Sequence, residues 1–342
     1  MKDAGKPKRA RKTMNEEQKV DEIILKGEAF LREGKAADAI TLYDAEIEKH
    51  PASARLYIAR GNAFFCERNW RFACRDYTIA VKLEPNSAET FYSLGLVTFL
   101  MNGPETALKC YTRAIELNPQ YADAYYNRGV IYDEMKMYMT AMEDYTKAIE
   151  LNPEMTAAWN NRGNDWVDMG EFENALADFN EVIRLNPQRD KAYGNRGYVL
   201  QRLGRFDEAL ADYAKALEQD PEDGGTYANR GRLHLEQENY EDAVSDFSQL
   251  IQLAPMSAAA YELRAGAYAA LGKETEAAED RKKAETFGAA ATDAEEPAED
   301  VKINDVADLE KLDSQQTPHD GDCRCGHCSG GGNGASPSES SK

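Results

Sequence analysis

The sequence has little of what catalysis, membranes or nucleic acids demand. It holds four histidines in 342 residues, and no Gly-rich phosphate loop follows a strand pattern. No nucleophile elbow and no His-Glu-x-x-His helix occurs either, so a non-catalytic role is expected. Apolar runs of about 18 residues are missing, and the opening stretch MKDAGKPKRARKTMNEEQ has no apolar signal core, which predicts no insertion into a membrane. Basic charge is short: 41 Lys and Arg stand against 61 Asp and Glu, a net charge of −20. Phosphate binding needs a basic stripe, so nucleic acid is not the expected ligand. Six cysteines form no disulfide framework, with Cys66, Cys74 and Cys110 in one region and Cys323, Cys325 and Cys328 in another. A reducing, cytoplasmic setting follows as the expectation.

What the sequence does have is a period. Glycine recurs every 34 residues at Gly27, Gly61, Gly95, Gly129, Gly163, Gly197 and Gly231, with Ala265 in the eighth place. Alanine keeps the same step from Ala39 to Ala277, and proline from Pro51 to Pro255. Four residues after each alanine stands an aromatic: Tyr43, Tyr77, Tyr111, Tyr145, Phe179, Tyr213 and Phe247, with Arg281 last. Each unit contains two amphipathic runs of helical period around a short break such as Met169-Gly170-Glu171, which predicts helix, tight turn, helix. The proline ends the second helix because it cannot donate the helical hydrogen bond. A recurrent glycine inside a helix, costing about 1 kcal/mol, implies close approach of the two helices; we expect it to face the alanine, with the aromatic behind. Arg281 and Glu274 give the last unit the charged outer face that a terminal repeat requires.

This period and its small-residue and aromatic slots resemble the tetratricopeptide repeat family over about residues 20–291. The resemblance implies an all-α, right-handed superhelical solenoid of eight helix-turn-helix repeats with disordered termini. The repeats would run 20–53, 54–87, 88–121, 122–155, 156–189, 190–223, 224–257 and 258–291. A basic arm (1–19) precedes them and a tail (292–342) follows, acidic at first and then rich in Gly and Ser.

The repeats act as an internal alignment. Arginine precedes the glycine at Arg60, Arg128, Arg162, Arg196, Arg230 and Arg264, and aspartate precedes the aromatic slot at Asp76, Asp144, Asp178, Asp212, Asp246 and Asp280. The third unit has Leu94 and Cys110 instead, so both charges vanish together. We expect a partly buried Arg–Asp pair between the helices of each of those six units. His234 takes a slot filled by Phe64, Tyr132 and Trp166 elsewhere, which suits a packed ring rather than a base, and Trp70, Trp159 and Trp166 fall on packing slots. Asp165 departs from its apolar counterparts with no account in the sequence.

In the family, the first helix of each unit lines an inner groove that holds an extended or helical peptide, so the expected partner is a protein or extended peptide. Here Asn127, Asn161, Asn195 and Asn229 stand two residues before the glycine. An amide both donates and accepts, so such a row either holds a peptide backbone or bonds within the scaffold. The row resembles the asparagine ladder of O-linked N-acetylglucosamine transferase. Other inward positions would supply selectivity: Tyr126, Asn160, Asn164, Lys191, Tyr198, Arg202 and Arg232. The lysine with which chaperone-binding members grip a terminal carboxylate is replaced by Ile58, Tyr92, Tyr126, Asn160 and Gly194, so that clamp is not met.

Two other readings attach to the chain. Cys323, Cys325, Cys328 and His327 carry the right atoms for zinc or copper(I), which suggests a metal- or redox-responsive regulator; otherwise no cofactor is expected. A purely architectural subunit using the convex face is the other.

Overall fold

The structure is a computed structural model that describes residues 16–188 and 190–292. Among the described residues it consists of sixteen helices and no strands. By contact they fall into two compact units, with Pro119 closing the first and Gln120 opening the second. The first holds α1 (Glu16–Arg32), α2 (Ala36–Ile47), α3 (Ala54–Cys66), α4 (Trp70–Leu83), α5 (Ala88–Leu100) and α6 (Pro104–Leu117). The second holds α7 (Ala122–Glu134), α8 (Tyr138–Leu151), α9 (Thr156–Asp168), α10 (Phe172–Leu185) and α11 (Asp190–Arg202). It continues through α12 (Phe206–Gln219), α13 (Gly224–Glu236), α14 (Tyr240–Leu253), α15 (Ala258–Ala270) and α16 (Glu274–Thr292). Each odd-numbered helix and its successor make one repeat. Within each unit, the second helix of a repeat also packs on the first helix of the next.

Helix α1 begins at Glu16, inside the stretch read as an N-terminal arm. Glu16 and Glu17 in its first turn suit the positive end of the helix dipole. The rest of that arm, the acidic and Cys-rich tail beyond Thr292, and the tail's metal-ligand candidates all lie outside the described residues.

The eight turns inside repeats share one geometry. The residues at 34, 68, 102, 136, 170, 204, 238 and 272 all have positive φ, between 56° and 79°. Four are glycines, which adopt this region freely; the others are Arg68, Asn102, Lys136 and Glu238, which adopt it at a cost of about 1–2 kcal/mol each. In every case the next amide reaches back five residues, as from Lys35 N–H to the Phe30 carbonyl (2.8 Å) and Glu171 N–H to the Trp166 carbonyl (2.8 Å). Such bonds satisfy carbonyls that a helix end would otherwise leave open. Between repeats, the residue before each proline is drawn out of helical conformation, with Asn152 at φ −139°, ψ 89° and Asn186 at φ −141°, ψ 87°.

The glycine slot faces the aromatic, not the alanine. A Cβ placed on Gly231 would lie 2.5 Å from the Phe247 ring, on Gly61 2.7 Å from Tyr77, and on Gly163 3.0 Å from Phe179. The alanine's carbonyl comes next, at 3.3 Å in the fourth and sixth repeats. The ring sixteen residues on thus packs against bare backbone, and Tyr43, Tyr111, Tyr145, Phe179, Tyr213 and Phe247 are fully buried. The last repeat obeys the same logic in reverse: its slot carries exposed Arg281 in place of a ring, and Ala265 takes the place of glycine.

All six Arg–Asp pairs form, each bidentate. Arg162 Nε and Nη2 donate to Asp178 at 2.8 and 2.7 Å, and Arg196 to Asp212 at 2.7 and 2.8 Å. The pairs at Arg60, Arg128, Arg230 and Arg264 have the same geometry, between 2.6 and 2.9 Å. Burial pushes the Asp144 and Asp178 carboxyls up against the pull of their arginines, a measure of how dry the site is. The arginine also reaches the preceding repeat, where Nη1 donates to Asp44 (from Arg60), Thr146 (from Arg162), Asn180 (from Arg196) and Ser248 (from Arg264). One side chain therefore ties three helices. In the third repeat Leu94 and Cys110 fill the same space as apolar groups, both buried.

Candidate functional site

The inward residues of the second unit lie on the first helices of repeats four to seven, α7, α9, α11 and α13. Lys191 and Arg202 are exposed, while Asn195, Tyr198 and Asn229 are half-buried. Five of the residues singled out from sequence, Asn164, Lys191, Asn195, Tyr198 and Asn229, line one cleft of about 330 Å³. Val167 and Phe179 supply apolar floor. Two more are attached to its rim: Arg202 Nη1 donates to the Tyr198 hydroxyl at 2.8 Å, and Arg232 Nη1 donates to Asn229 Oδ1 at 3.2 Å. Arg202 also lies over the Phe172 ring at 4.6 Å, which fixes its guanidinium by stacking.

Asn127, Tyr126, Asn160 and Asn161 fall outside the cleft. Tyr126 packs against Tyr145 with ring centroids 5.9 Å apart. Asn161 Nδ2 approaches the Tyr126 and Tyr145 hydroxyls at 3.5 and 3.4 Å, and Asn195 Nδ2 approaches Asn160 Oδ1 and Asn164 Oδ1, both at 3.5 Å. These contacts place the asparagines of successive repeats along one face. At such lengths they sit at the outer edge of hydrogen bonding, so the scaffold holds these two amides weakly.

Four cleft residues, Gly194, Asp223, Gly225 and Thr226, were not legible as site residues from the repeat pattern. Asp223 caps α13, its Oδ1 accepting from Gly225 N–H (3.0 Å) and Thr226 N–H (3.2 Å), and its Oδ2 accepting from the Thr226 hydroxyl (2.6 Å). Gly194 stands where the third and fourth repeats carry Tyr92 and Tyr126, and a Cβ there would meet Thr226 Oγ1 at 2.8 Å, so the glycine admits the start of α13 to the cleft wall. The Asp-Gly-Gly-Thr run and the shrinking side chain at the Gly194 slot were the available signals.

The remaining candidates are structural. His234 is a packed ring whose Nε2 comes 4.0 Å from Asp246 Oδ2. Trp70, Trp159 and Trp166 are half-buried rather than enclosed, and Trp159 donates to the Pro153 carbonyl at 3.0 Å while stacking under Arg162 at 4.9 Å. Burial pushes the Cys74 and Cys110 thiols up to about 12, which leaves them as inert core groups at neutral pH. No described helix is long and apolar enough to cross a membrane.

Repeated helical hairpins with a lined inner face define a helical-repeat scaffold. Models of the tetratricopeptide repeat match residues 122–155, 156–189, 190–223, 24–70 and 229–294, and a TPR repeat model matches 105–136; together they span more than half of the chain. The chain belongs to the tetratricopeptide repeat family. It is similar to a tetratricopeptide repeat protein from Parabacteroides merdae, with 24% identity and TM-score 0.52 over 72% of this chain and 98% of that one. It is also similar to pilF of Pseudomonas aeruginosa, with 23% identity and TM-score 0.55 over 64% and 99%. These two likenesses concern the fold alone. YrrB, a TPR protein with an unusual peptide-binding site, aligns at 28% identity and TM-score 0.48 over 52% of this chain and 92% of that one. No curated protein matches the chain.

Proposed function

We propose that this protein is a non-catalytic scaffold that binds an extended peptide segment of a partner protein along α7, α9, α11 and α13, anchored in the cleft at Asn195, Tyr198 and Asn229. The observation that carries this reading is the cleft itself, in which amides from three successive repeats meet a tyrosine, a lysine and an apolar floor. Regularly spaced amides can pair with a peptide backbone whatever its side chains, while Tyr198, Lys191, Arg202 and Arg232 select among side chains. Tyrosine and arginine, held by stacking and hydrogen bonds, lose little freedom on binding, which favours them as anchors.

The test is affinity capture from the native cell extract with the full chain, beside a variant carrying Asn127, Asn161, Asn195 and Asn229 all changed to alanine. The two are first shown to have the same helical content and melting temperature. A partner retained by the wild type and lost by the variant is the expected result. Equal retention by both would move the binding site off this face.

A further inference from the structure

Seven aspartates are buried among the described residues, and six of them are held by arginines. The seventh is Asp165 on α9, only 1% exposed, whose Oδ2 has no hydrogen-bond partner. The groups acting on it are acidic: it hydrogen-bonds to Asp133 on α7, and Asp168, one turn along α9, adds its charge. Glu134 adjoins Asp133, whose charge raises it further. Burial first, and then the charge of Asp133, push the Asp165 carboxyl up to about 8, and partial burial raises Asp133 as well. Burial above all raises the Tyr145 hydroxyl from α8, with the charges of Asp133 and Asp165 adding to it, and a phenol bears no positive charge in either protonation state.

The scaffold does not require this arrangement. At the same slot other repeats carry apolar residues, such as Ile131 and Val199, and fold alike. A buried carboxyl with no counter-charge keeps its proton at neutral pH, and a cation brought beside it would favour the ionised form. The cluster opens outward, since Asp133 is half-buried and Asp168 exposed. Exposed methionines follow two of these aspartates in the chain, Met135 (50%) two residues after Asp133 and Met169 (41%) directly after Asp168. Methionine packs adaptably on the aliphatic stem of a long side chain. The three carboxylates do not form a ligand set for a metal ion, since no described group of three or more His, Cys, Asp or Glu does.

We propose that Asp133, Asp165 and Asp168 form a subsite for a cationic side chain, an arginine or lysine of the bound peptide, with Met135 and Met169 flanking its stem. This rests on the peptide-binding reading and adds direction to it. The peptide's basic residue lies at repeats four and five, and its other end lies toward Lys191, Arg202 and Arg232.

The test uses the full chain labelled with 13C at methionine methyls, titrated with acetyl-Arg-Arg-amide and, in parallel, acetyl-Gln-Gln-amide. The arginine dipeptide should shift the Met135 and Met169 signals saturably, and the glutamine dipeptide should not. Asp133→Asn with Asp168→Asn, both changes at accessible positions, should weaken the arginine titration at least tenfold. Equal response to the two dipeptides, no response to either, or an unchanged affinity in the variant each overturns the proposal. An Asn195→Ala/Asn229→Ala variant separates the two readings. If it loses its partner while the arginine dipeptide fails on the wild type, only the subsite falls; if it keeps its partner and still binds the arginine dipeptide, only the groove reading falls.

Discussion

The third and fifth repeats share a backbone plan and differ in chemistry. The third closes its helix pair with Leu94 against Cys110, both buried and uncharged. The fifth closes the same space with Arg162 and Asp178, and then places a second buried aspartate, Asp165, one turn further along with no cation to meet it. The pair and its apolar replacement are alternative solutions to one packing problem, which is why both members change together. Asp165 is paired with no arginine, and the apolar Ile131 and Val199 at its slot show that the frame does not require it.

The comparison breaks most sharply where one charge is removed and the other left. Asp178→Ala strands Arg162 and should cost about 3–5 kcal/mol in urea denaturation. Rebuilding the third repeat's solution in the fifth, Arg162→Leu with Asp178→Cys, should recover most of that loss. Glycine substitution comes next: Gly231→Ala drives a Cβ toward the Phe247 ring, at 2.5 Å, and should cost about 1–3 kcal/mol, whereas Gly266→Ala meets nothing within 4 Å and should be close to neutral.

Asp165→Asn sharpens the comparison in the opposite sense. The folded carboxyl titrates near 8, above the ordinary value of 3.8, so the folded wild type loses stability as pH rises from about 4 to about 8. The asparagine variant does not titrate. Its unfolding free energy should exceed that of the wild type by a margin that grows through this window and is largest above pH 8, on the order of 1–3 kcal/mol there. A margin that shrinks with rising pH would contradict the burial and charge assigned to Asp133, Asp165 and Asp168. The smallest effects belong to the turns: Lys136→Gly and Glu238→Gly relieve left-handed backbone and should each add about 1 kcal/mol to thermal stability.

Much of the frame was legible because a 34-residue period converts one chain into eight aligned copies. The Arg and Asp slots could be paired from their joint loss at Leu94 and Cys110, and the pairs form at all six sites. The glycine's true neighbour was harder to see. Alanine and aromatic are both one repeat slot away in sequence, and only the depth of the helix contact decides which one meets bare backbone. Part of the candidate cleft was legible, since Asn164, Lys191, Asn195, Tyr198 and Asn229 follow from register alone. The rest of the cleft was not, because it comes from the close approach of Thr226 that Gly194 permits and from the Asp223 cap that shapes the start of α13. The meeting of Asp133 and Asp165 was hidden too. They stand 32 residues apart, off the repeat period, and only the packing of neighbouring inner helices brings them into contact.

The most direct test of the central claim begins with peptides selected on the full chain from a displayed random library. A synthetic consensus peptide is then titrated by fluorescence polarisation against the wild type and against Asn195→Ala/Tyr198→Ala/Asn229→Ala, which removes three cleft-lining side chains from exposed or half-buried positions. The account predicts a saturable isotherm for the wild type and a Kd at least tenfold weaker for the variant, with melting temperatures alike. Equal affinities would show that the peptide binds elsewhere, and the inner face of α7, α9, α11 and α13 would no longer be the functional surface.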